Sequence, residues 1–297
     1  MPSTAFVAIL FAWWGFPQDE PPPPPSPEEA RKELEKKVEK EAQEKLAAFR
    51  KAVSRAKVED QISEAIKELG SLQHPKILKE WKKQISSLQS LVHRRMVVQE
   101  IAKYKEDPEA LKILLEVLSS EAGKATQDAQ ARDIDHEIVL DLMAVLGQRP
   151  PSKEVVSKLT SLFYNRNLSV ARGAVDTLRQ IRALESVDSL LGLLKQLEST
   201  NAQPPQTQGS GSSTPSQFVR YPGQPDPAKP NMTPQEAQQY AAYQRKTQLT
   251  YSILSAFDVL LGTRKATAAE YADHWTKNKD KLWEEENKRR QPPDGGQ

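Results

Sequence analysis

The residues best suited to metal chemistry lie together in the segment RDIDHE, residues 132–137. Three of them, Asp133, Asp135 and Glu137, carry carboxylates, and divalent metal ions bind both carboxylate and imidazole groups. In a helix, Asp133 shares a side with His136 and Glu137. Asp135 points elsewhere. Acidic residues are also stabilised at the start of a helix by its dipole. The sequence favours this structural role, and we expect neither a metal ion nor a cofactor.

No catalytic motif is recognisable in the sequence. The segment GSGSS, residues 209–213, has the composition of a phosphate-binding loop, but no strand pattern precedes it and no Gly-Lys-Ser/Thr follows it. The G-x-S-x-G, H-E-x-x-H and protein-kinase motifs are absent. The chain has no Cys, which excludes disulfides, thiolate nucleophiles and cysteine-bound zinc or iron–sulfur centres. We therefore expect a protein that is not an enzyme and has no catalytic residues.

The charge balance points to a protein partner and away from nucleic acid. Lys and Arg number 42 and Asp and Glu number 40, for a net charge of +2. A nucleic-acid binder needs a concentrated basic surface to displace counterions from phosphates. The basic patches at residues 93–95 and 287–290 are short, and acidic residues flank the second. We expect an unidentified protein partner and no nucleic acid.

The N-terminal sequence indicates an exported protein. An apolar run from Ala5 to Phe16 has the length of the hydrophobic part of a signal peptide, and as a helix it would rise about 18 Å, too short for a bilayer core of about 30 Å. We predict a signal peptide or N-terminal anchor at residues 1–18, a Pro-rich linker at 19–26, and a periplasmic, envelope or extracellular location. No Lys or Arg precedes the run, and no clean A-x-A cleavage site follows it. The alternatives are a membrane tether through residues 5–16 and a cytoplasmic protein whose N-terminus is not a signal.

A charged helix is predicted at residues 27–57. Ser26 and Glu29 have the spacing of a capping box around Pro27. Apolar residues at helical spacing form one narrow stripe: Leu34, Val38, Ala42, Leu46, Phe49 and Val53. Mixed acidic and basic residues cover the other faces, which favours a solvated helix that docks one edge on the next element. A coiled-coil or membrane-surface helix is the alternative.

A pattern of two amphipathic helices around a short polar break recurs along the chain. It occupies five segments, residues 65–85, 100–118, 141–163, 177–198 and 252–275. Equivalent apolar positions in these segments are separated by 35, 41, 36 and 76 residues, the last being about twice the unit. Several breaks contain residues typical of helix starts: Asp107-Pro108, Ser152 and Thr267.

A repeat built from two helices at this period is typical of an α-solenoid. One helix hairpin cannot bury both of its apolar stripes, but stacked neighbours bury them jointly. We therefore predict an all-α fold, a right-handed α-solenoid of about five antiparallel helix pairs. The repeats are predicted at residues 58–198, and a C-terminal helix pair at 233–284 completes the solenoid. We expect a monomer.

Residues 167–198, NLSVARGAVDTLRQIRALESVDSLLGLLKQLE, resemble a HEAT repeat. The matching features lie along two helices, with Val170, Ala171, Ala174, Leu178 and Ile181 in the first and Val187, Leu190, Leu191, Leu194 and Leu197 in the second. Leu69-Gly70 and His74-Pro75 carry a second match in residues 65–81. Tetratricopeptide repeats are the rival family, but their Gly-Tyr and Ala signature is missing.

The C-terminal sequence LLGTRKATAAEYADHWTKNKDKLW looks like the end of a group of exported bacterial HEAT-repeat proteins. In that group a Gly turn leads into a terminal helix that bears Trp and then Asn-Lys. The corresponding residues here are Gly262, Trp275 and Asn278-Lys279. The family often has a Trp pair at the position of His274 and Trp275, so this chain departs from the pattern there.

Two segments are predicted to be disordered. Residues 199–232 are rich in Pro, Gly, Ser and Gln and poor in apolar residues, so they cannot bury enough surface to fold, and we interpret them as an insertion between two repeats. Residues 285–297 are predicted to be a disordered tail. Phe218 and Tyr221 form an aromatic island in the insertion, FVRY, which could contact a partner or pack back on the stack.

Candidate partner-binding residues are the aromatic side chains of the insertion and of the helix that follows it. Tyr240, Tyr243 and Tyr251 lie in the helix predicted from Thr233 to about Leu261. Tyrosines are frequent among the residues that carry most of the energy of a protein interface. With Phe218 and Tyr221 they complete the predicted set. Packing at the core or its rim is the alternative for the helical tyrosines.

The resemblance extends over residues 58–283 and implies a curved stack of helix pairs that serves as a binding surface. We therefore predict a non-catalytic helical-repeat scaffold that mediates protein–protein interaction in an exported or envelope compartment. Two alternatives stay open. One is an accessory or maturation factor that holds a partner enzyme or its substrate, and the other is a purely structural envelope component.

Overall fold

The chain is all-helical wherever its structure is described. The computed structural model describes residues 26–56, 58–127, 136–202 and 233–291. Within these ranges helix is the only regular secondary structure, which confirms the predicted all-α class. The helices are α1 Pro27–Arg55, α2 Glu59–Leu69, α3 Pro75–Ser87, α4 Leu91–Ala102, α5 Pro108–Gln127, α6 His136–Leu146, α7 Lys153–Ser161, α8 Leu168–Gln180, α9 Val187–Ser199, α10 Pro234–Leu261 and α11 Ala268–Arg290. Short 3₁₀ turns at Leu162–Tyr164 and Leu184–Ser186 follow α7 and precede α9.

Local sequence signals set the helix starts. Ser26 Oγ accepts a hydrogen bond from Glu29 N at 3.2 Å, and the Glu29 carboxylate accepts one from Ser26 N at 2.9 Å, so the predicted capping box forms. Thr233 and Glu236 form a second capping box at the start of α10. The other predicted helix-start residues also accept hydrogen bonds from the first turns of their helices: Asp107, Ser152 and Thr267.

The helices pack against their neighbours along the chain. Nearly all helices in substantial contact are one or two positions apart in the sequence. The even-numbered helices α2, α4, α6, α8 and α10 contact one another in order, and we call them the even row. The odd-numbered helices form the odd row, in which the 3₁₀ turn ahead of α9 bridges to α7. Each helix therefore has neighbours in its own row and in the other row.

The close pairs of helices differ from the pairs predicted by the sequence. The closest cross-row packing joins α1 to α2, α3 to α4, α5 to α6, α7 to α8 and α9 to α10. The two helices of a predicted pair, such as α8 and α9 in residues 177–198, share little direct contact. Ala183 and Leu184 are buried in the turn between α8 and α9, and they fill the space between the two helix ends. The breaks were predicted at the correct places, but the pairing is shifted by one helix.

One hydrophobic core extends along the two rows. It runs without interruption from Ala42 in α1 to Trp275 in α11. Aromatic side chains lie near both of its ends, where Phe49 packs edge-on against Trp81 at 5.5 Å and Phe257 packs on Tyr271 at 4.6 Å between ring centroids. The core positions proposed for residues 167–198 are buried, apart from Leu191, which is half-buried.

The turns between helices are joined to one another by hydrogen bonds. The Tyr104 hydroxyl accepts from His74 N at 3.0 Å and donates to His74 O at 3.3 Å, which links the α4–α5 turn to the α2–α3 turn. Arg149 donates in turn to Tyr104 O at 2.9 Å from the α6–α7 turn. These bonds satisfy buried backbone groups that no helix can pair.

The C-terminal helix is longer than predicted. Residues 285–297 were expected to be a disordered tail, but α11 continues to Arg290. Glu286 is buried, and its carboxylate lies 3.4 Å from Arg182 Nε and 3.3 Å from Arg290 Nε. Arg182 comes from the turn after α8, so the local composition of residues 285–290 gives no sign of this anchor.

A buried ion pair joins α4 to α5. Arg94 Nη2 lies 2.6 Å from Glu121 Oε2, and both side chains are largely removed from solvent. Arg94 Nε donates to Ile85 O at 3.0 Å, which orients the guanidinium toward the carboxylate. Lys124 donates to the other carboxylate oxygen at 2.8 Å. Burial by itself would raise the pKa of Glu121, but the two cations outweigh it and hold the pKa below its ordinary value of 4.5.

We expect Glu121→Gln to destabilise the protein by about 3 kcal/mol at pH 7, because the buried Arg94 would lose its counter-charge. Urea unfolding followed by circular dichroism measures this change. Glu116→Gln is the matched control, since Glu116 pairs with Lys82 at an exposed site on the same helix, and it should change the unfolding midpoint little.

The difference between wild type and Glu121→Gln should depend on pH. A carboxylate whose pKa is lowered by folding stabilises the protein above its unfolded pKa and loses that contribution as the pH falls through the folded pKa. The difference should therefore be full at pH 7 and shrink below about pH 4.5. Equal unfolding midpoints for the two variants at pH 7 would show that the buried pair does not stabilise the fold.

Candidate functional site

The structure brings three of the predicted binding residues together on α10. Tyr240, Tyr243 and Tyr251 fall within about 80° of one another around the helix axis, at about 100° per residue. The side opposite them carries the buried stripe of α10, which includes Leu249, Ile253 and Leu260. We call the surface formed by Tyr240, Tyr243, Tyr251 and Leu254 the tyrosine face. Phe218 and Tyr221 lie outside the described residues.

The tyrosine face is open to solvent along much of its length. Tyr251 is 72% exposed and Tyr240 is 37% exposed, while Tyr243 and Leu254 are half-buried. The predicted alternative was packing at the core or its rim, and Tyr251 is not in the core. A tyrosine side chain at this exposure leaves most of its large apolar ring surface in contact with water.

The position of α10 in the even row explains why this face is open. Each of α4, α6 and α8 has an even-row neighbour on both sides, and the outer side of α2 is in contact with α1. Helix α10 packs on α8 and α9, and Phe257 on α10 also contacts Tyr271 at the start of α11. Within the described residues α10 has only α8 as an even-row neighbour, and the even row leaves the tyrosine face uncovered.

A shallow depression adjoins Tyr251. Its volume is about 260 Å³, and its lining residues come from α10, the α10–α11 turn and the start of α11: Tyr251, Leu254, Ser255, Asp258, Arg264, Lys265 and Tyr271. Arg264 donates to Asp258 Oδ2 at 2.7 Å, which fixes one cation on the rim. Leu254 and the Tyr271 ring give the depression apolar walls. It can accept an apolar side chain with a polar group beside it.

Arg245 fixes the half of α10 that extends beyond α8. Its guanidinium donates to Asn165 O at 2.7 Å and to Phe163 O at 2.8 Å. Burial lowers the pKa of Arg245, and no carboxylate forms an ion pair with it among the described residues. The two backbone carbonyls therefore hold the helix at the point where its exposed segment begins. The residues from Pro234 to Ala242, including Tyr240, are all exposed.

Two contacts fix α11 on α9. Trp275 Nε1 donates to Asp188 Oδ1 at 2.9 Å, and Lys279 Nζ lies 5.2 Å from the centre of the Trp275 ring. Ala268 N donates to the Glu198 carboxylate at 2.8 Å. The Trp and Asn-Lys positions of the C-terminal pattern therefore include residues that hold the last helix in place. Neither Arg245 nor Asp188 was selected from the sequence, because their partners are distant along the chain.

A second groove lies on the even row, on the outer side of α6, α8 and α10. Its volume is about 600 Å³, and its apolar floor includes Leu140, Met143 and Val259. Gly173 lies within this floor, where a Cβ atom would come 2.8 Å from Leu140 Cδ2. Arg182 at one end of the groove has φ of 52°, a backbone conformation that L-residues rarely adopt.

The structure shows no metal site at the RDIDHE segment within the described residues. Asp133 and Asp135 lie outside the described residues, and His136 begins α6. In the described part of the chain, no group of three or more His, Asp or Glu side chains is placed to hold a metal ion. His74 caps α3 by accepting from Lys76 N, and His93 is buried against Glu59 O.

The structure bears on the predicted membrane tether only through the length and hydropathy of its helices. No helix in the described ranges combines the length and the apolar character needed to cross a bilayer. The predicted tether at residues 5–16 lies outside those ranges.

Comparison of the chain with protein-family models, with curated proteins and with solved structures gave no match in any of the three.

We expect Arg245→Met to loosen the exposed half of α10, because the Asn165 and Phe163 carbonyls would lose their donor. Amide hydrogen exchange in residues 238–248 should accelerate by about tenfold, whereas exchange in residues 249–261 should change little. Arg264→Met is the control, since its ion pair with Asp258 is exposed. Unchanged exchange in residues 238–248 would contradict the anchoring role of Arg245.

Proposed function

We propose that this chain is a HEAT-like α-solenoid scaffold that binds another protein through the tyrosine face. The contacts among neighbouring helices and the continuous core support the solenoid, because such repeats are stabilised by each unit packing on the next. The five helix breaks at the predicted places support a repeated unit. Export is a separate prediction, which rests on residues 1–18.

The observation that carries this proposal is the open side of α10. Four helices of the even row, α2, α4, α6 and α8, are covered on both sides, whereas α10 presents Tyr240, Tyr243, Tyr251 and Leu254 outward. We infer that the partner contributes an amphipathic helix, which lies where the next even-row helix would pack.

The chemistry of the face suits such a helix. Tyr251 and Tyr240 supply large rigid rings with two rotatable bonds each, so little side-chain entropy is lost when they become buried. Their hydroxyl groups can stay hydrogen-bonded at the rim. The depression beside Tyr251 accepts one apolar anchor of the helix, and the Arg264–Asp258 pair lies beside it. Anchors at positions i, i+3 or i+4, and i+7 are the usual pattern of helix recognition.

The opposite end of the molecule is covered in a different way. Helix α1 packs on α2 and exposes acidic and basic residues on its outer side, including the ion pairs Lys40–Glu44 and Lys32–Glu28. Terminal units of a solenoid carry a polar outer surface that keeps the stack soluble. The outer side of α10 places the tyrosines among a few polar residues such as Thr247 and Asp258, and it carries fewer charged residues than the outer side of α1, which favours it as the binding end.

The proposal is tested by site-specific crosslinking. Benzoylphenylalanine at position 251 should crosslink a discrete partner protein in an envelope fraction of the native organism, and the attached peptide should come from an amphipathic helix. The same group at position 164 is the control, because Tyr164 is also an exposed tyrosine, at 62%, but lies outside the tyrosine face. Equal crosslinking at both positions, or attachment only to this chain, would overturn the proposal.

We expect Tyr251→Ala and Tyr240→Ala each to weaken the purified complex about tenfold or more, since central aromatic residues contribute about 1.4 kcal/mol or more to an interface. Calorimetric titration of the crosslinked partner measures the dissociation constant. Tyr164→Ala should leave it within about twofold. Circular dichroism of each variant checks that the helices are retained.

A further inference from the structure

A groove between α1 and α3 carries an excess of positive charge. Its volume is about 420 Å³, and it lies on the odd row, far along the stack from the tyrosine face. Its lining contains four cations and one carboxylate: Gln43, Leu46, Ala47, Arg50, Lys76, Lys79, Glu80 and Lys83. The chain as a whole is nearly neutral, so this excess is a local property.

The one carboxylate in the groove is already neutralised. Glu80 is buried, and its Oε2 accepts from Arg50 while its Oε1 accepts from Gln84 at 2.9 Å. Burial would raise the pKa of Glu80, but the hydrogen bonds from Arg50 and Gln84 hold the pKa below its ordinary value. Glu80 is therefore charged at pH 7, and both of its carboxylate oxygens already accept hydrogen bonds from Arg50 and Gln84.

Two lysines in the groove are left without ion-pair partners. Lys76 pairs with Glu39 on α1 at 2.7 Å. Lys79 and Lys83 are both exposed, and neither lies within ion-pair distance of a described carboxylate, although the charge of Lys83 helps to lower the pKa of Glu80. They lie four residues apart on α3, so their Cβ atoms are about 6 Å apart on one side of the helix. A ligand with two negative charges at this spacing would be complementary to them.

The floor of the groove is not charged. Leu46 is buried at its base, and Ala47 lies beside it. The aliphatic stems of Lys79 and Lys83 extend this apolar surface while their ammonium groups remain in water. A ligand that combines carboxylates with apolar groups fits this surface better than one with phosphates alone.

A second groove on the odd row differs in its formal charge. Between α5 and α7, the lining contains two lysines and two glutamates, Lys153, Lys158, Glu116 and Glu154, and its remaining polar residues are serines. Glu116 also pairs with Lys82 on α3. Counted by formal charge, the α1–α3 groove is the more positive of the two.

We propose that the α1–α3 groove binds an acidic protein segment through Lys79 and Lys83, with apolar side chains of that segment against Leu46. This interaction is separate from the tyrosine face and does not depend on it. Carboxylates of the segment take the place of the missing counter-charges, and binding weakens as salt increases because the lysines are solvated. The short groove and the near-neutral chain favour a peptide over a nucleic acid.

The full-length chain is titrated with a fluorescent peptide that alternates Glu and Leu, and anisotropy is recorded at 50 and 300 mM NaCl. We expect saturable binding that weakens at least fivefold at the higher salt. The double variant Lys79→Gln/Lys83→Gln should weaken binding at least fivefold at 50 mM NaCl. Arg50 is left intact, because its removal would strand the buried Glu80.

Two controls separate the proposal from its rivals. Lys153→Gln/Lys158→Gln, which changes the α5–α7 groove, should bind the peptide as wild type does. Tyr251→Ala should also bind as wild type does, which keeps this test independent of the tyrosine face. Equal affinity of the Lys79/Lys83 variant and wild type would overturn the proposal. Tighter binding of single-stranded RNA or of tripolyphosphate than of the peptide would overturn it as well.

Discussion

Each described helix of this protein buries apolar side chains, and none can bury them without its neighbours. The stripes of α2 to α10 become buried only when the helices before and after them are in place, and the result is a single core that runs the length of the described chain. At about 25 cal/mol for each Å² of apolar surface removed from water, this shared burial is the main source of stability. The hydrogen-bonded turns and the Arg94–Glu121 pair refine the arrangement that burial imposes.

Because each helix is buried by its neighbours, the helices at the two ends of the described stack have different surroundings from the rest. An end helix has one neighbour fewer, so its outer side must be polar, covered, or used for binding. The charged residues of α1 meet the first condition, and they also frame the basic groove with α3. The outer side of α10 mixes exposed tyrosines with a few polar residues within the described part of the chain, which suits the third condition. The exposed Tyr251 and the anchor at Arg245 thus belong to one arrangement, in which a long helix is held firmly and presents its free side.

Features that depend on a few adjacent residues could be predicted from the sequence, and features that depend on distant partners could not. The caps at Ser26, Asp107 and Thr267 and the helix breaks follow from local patterns, and they were predicted correctly. The shift in helix pairing was missed, because it depends on which turn residues become buried. The extension of α11 to Arg290 was missed because Glu286 is paired by Arg182, which is remote in the chain. The tyrosines were selected by type, but only the row contacts place them at an open end.

The packing of each helix on its neighbours in the sequence has a consequence for folding during synthesis on the ribosome. A fold whose contacts join helices one or two positions apart needs no distant segment before its first part can assemble, and such local topologies fold quickly. Helices α1 to α4 can therefore settle while later helices are still being synthesised, and each new helix meets a surface that is already formed. Among the described helices of the even row α10 is the last to be synthesised, so the tyrosine face forms after the rest of that row is in place.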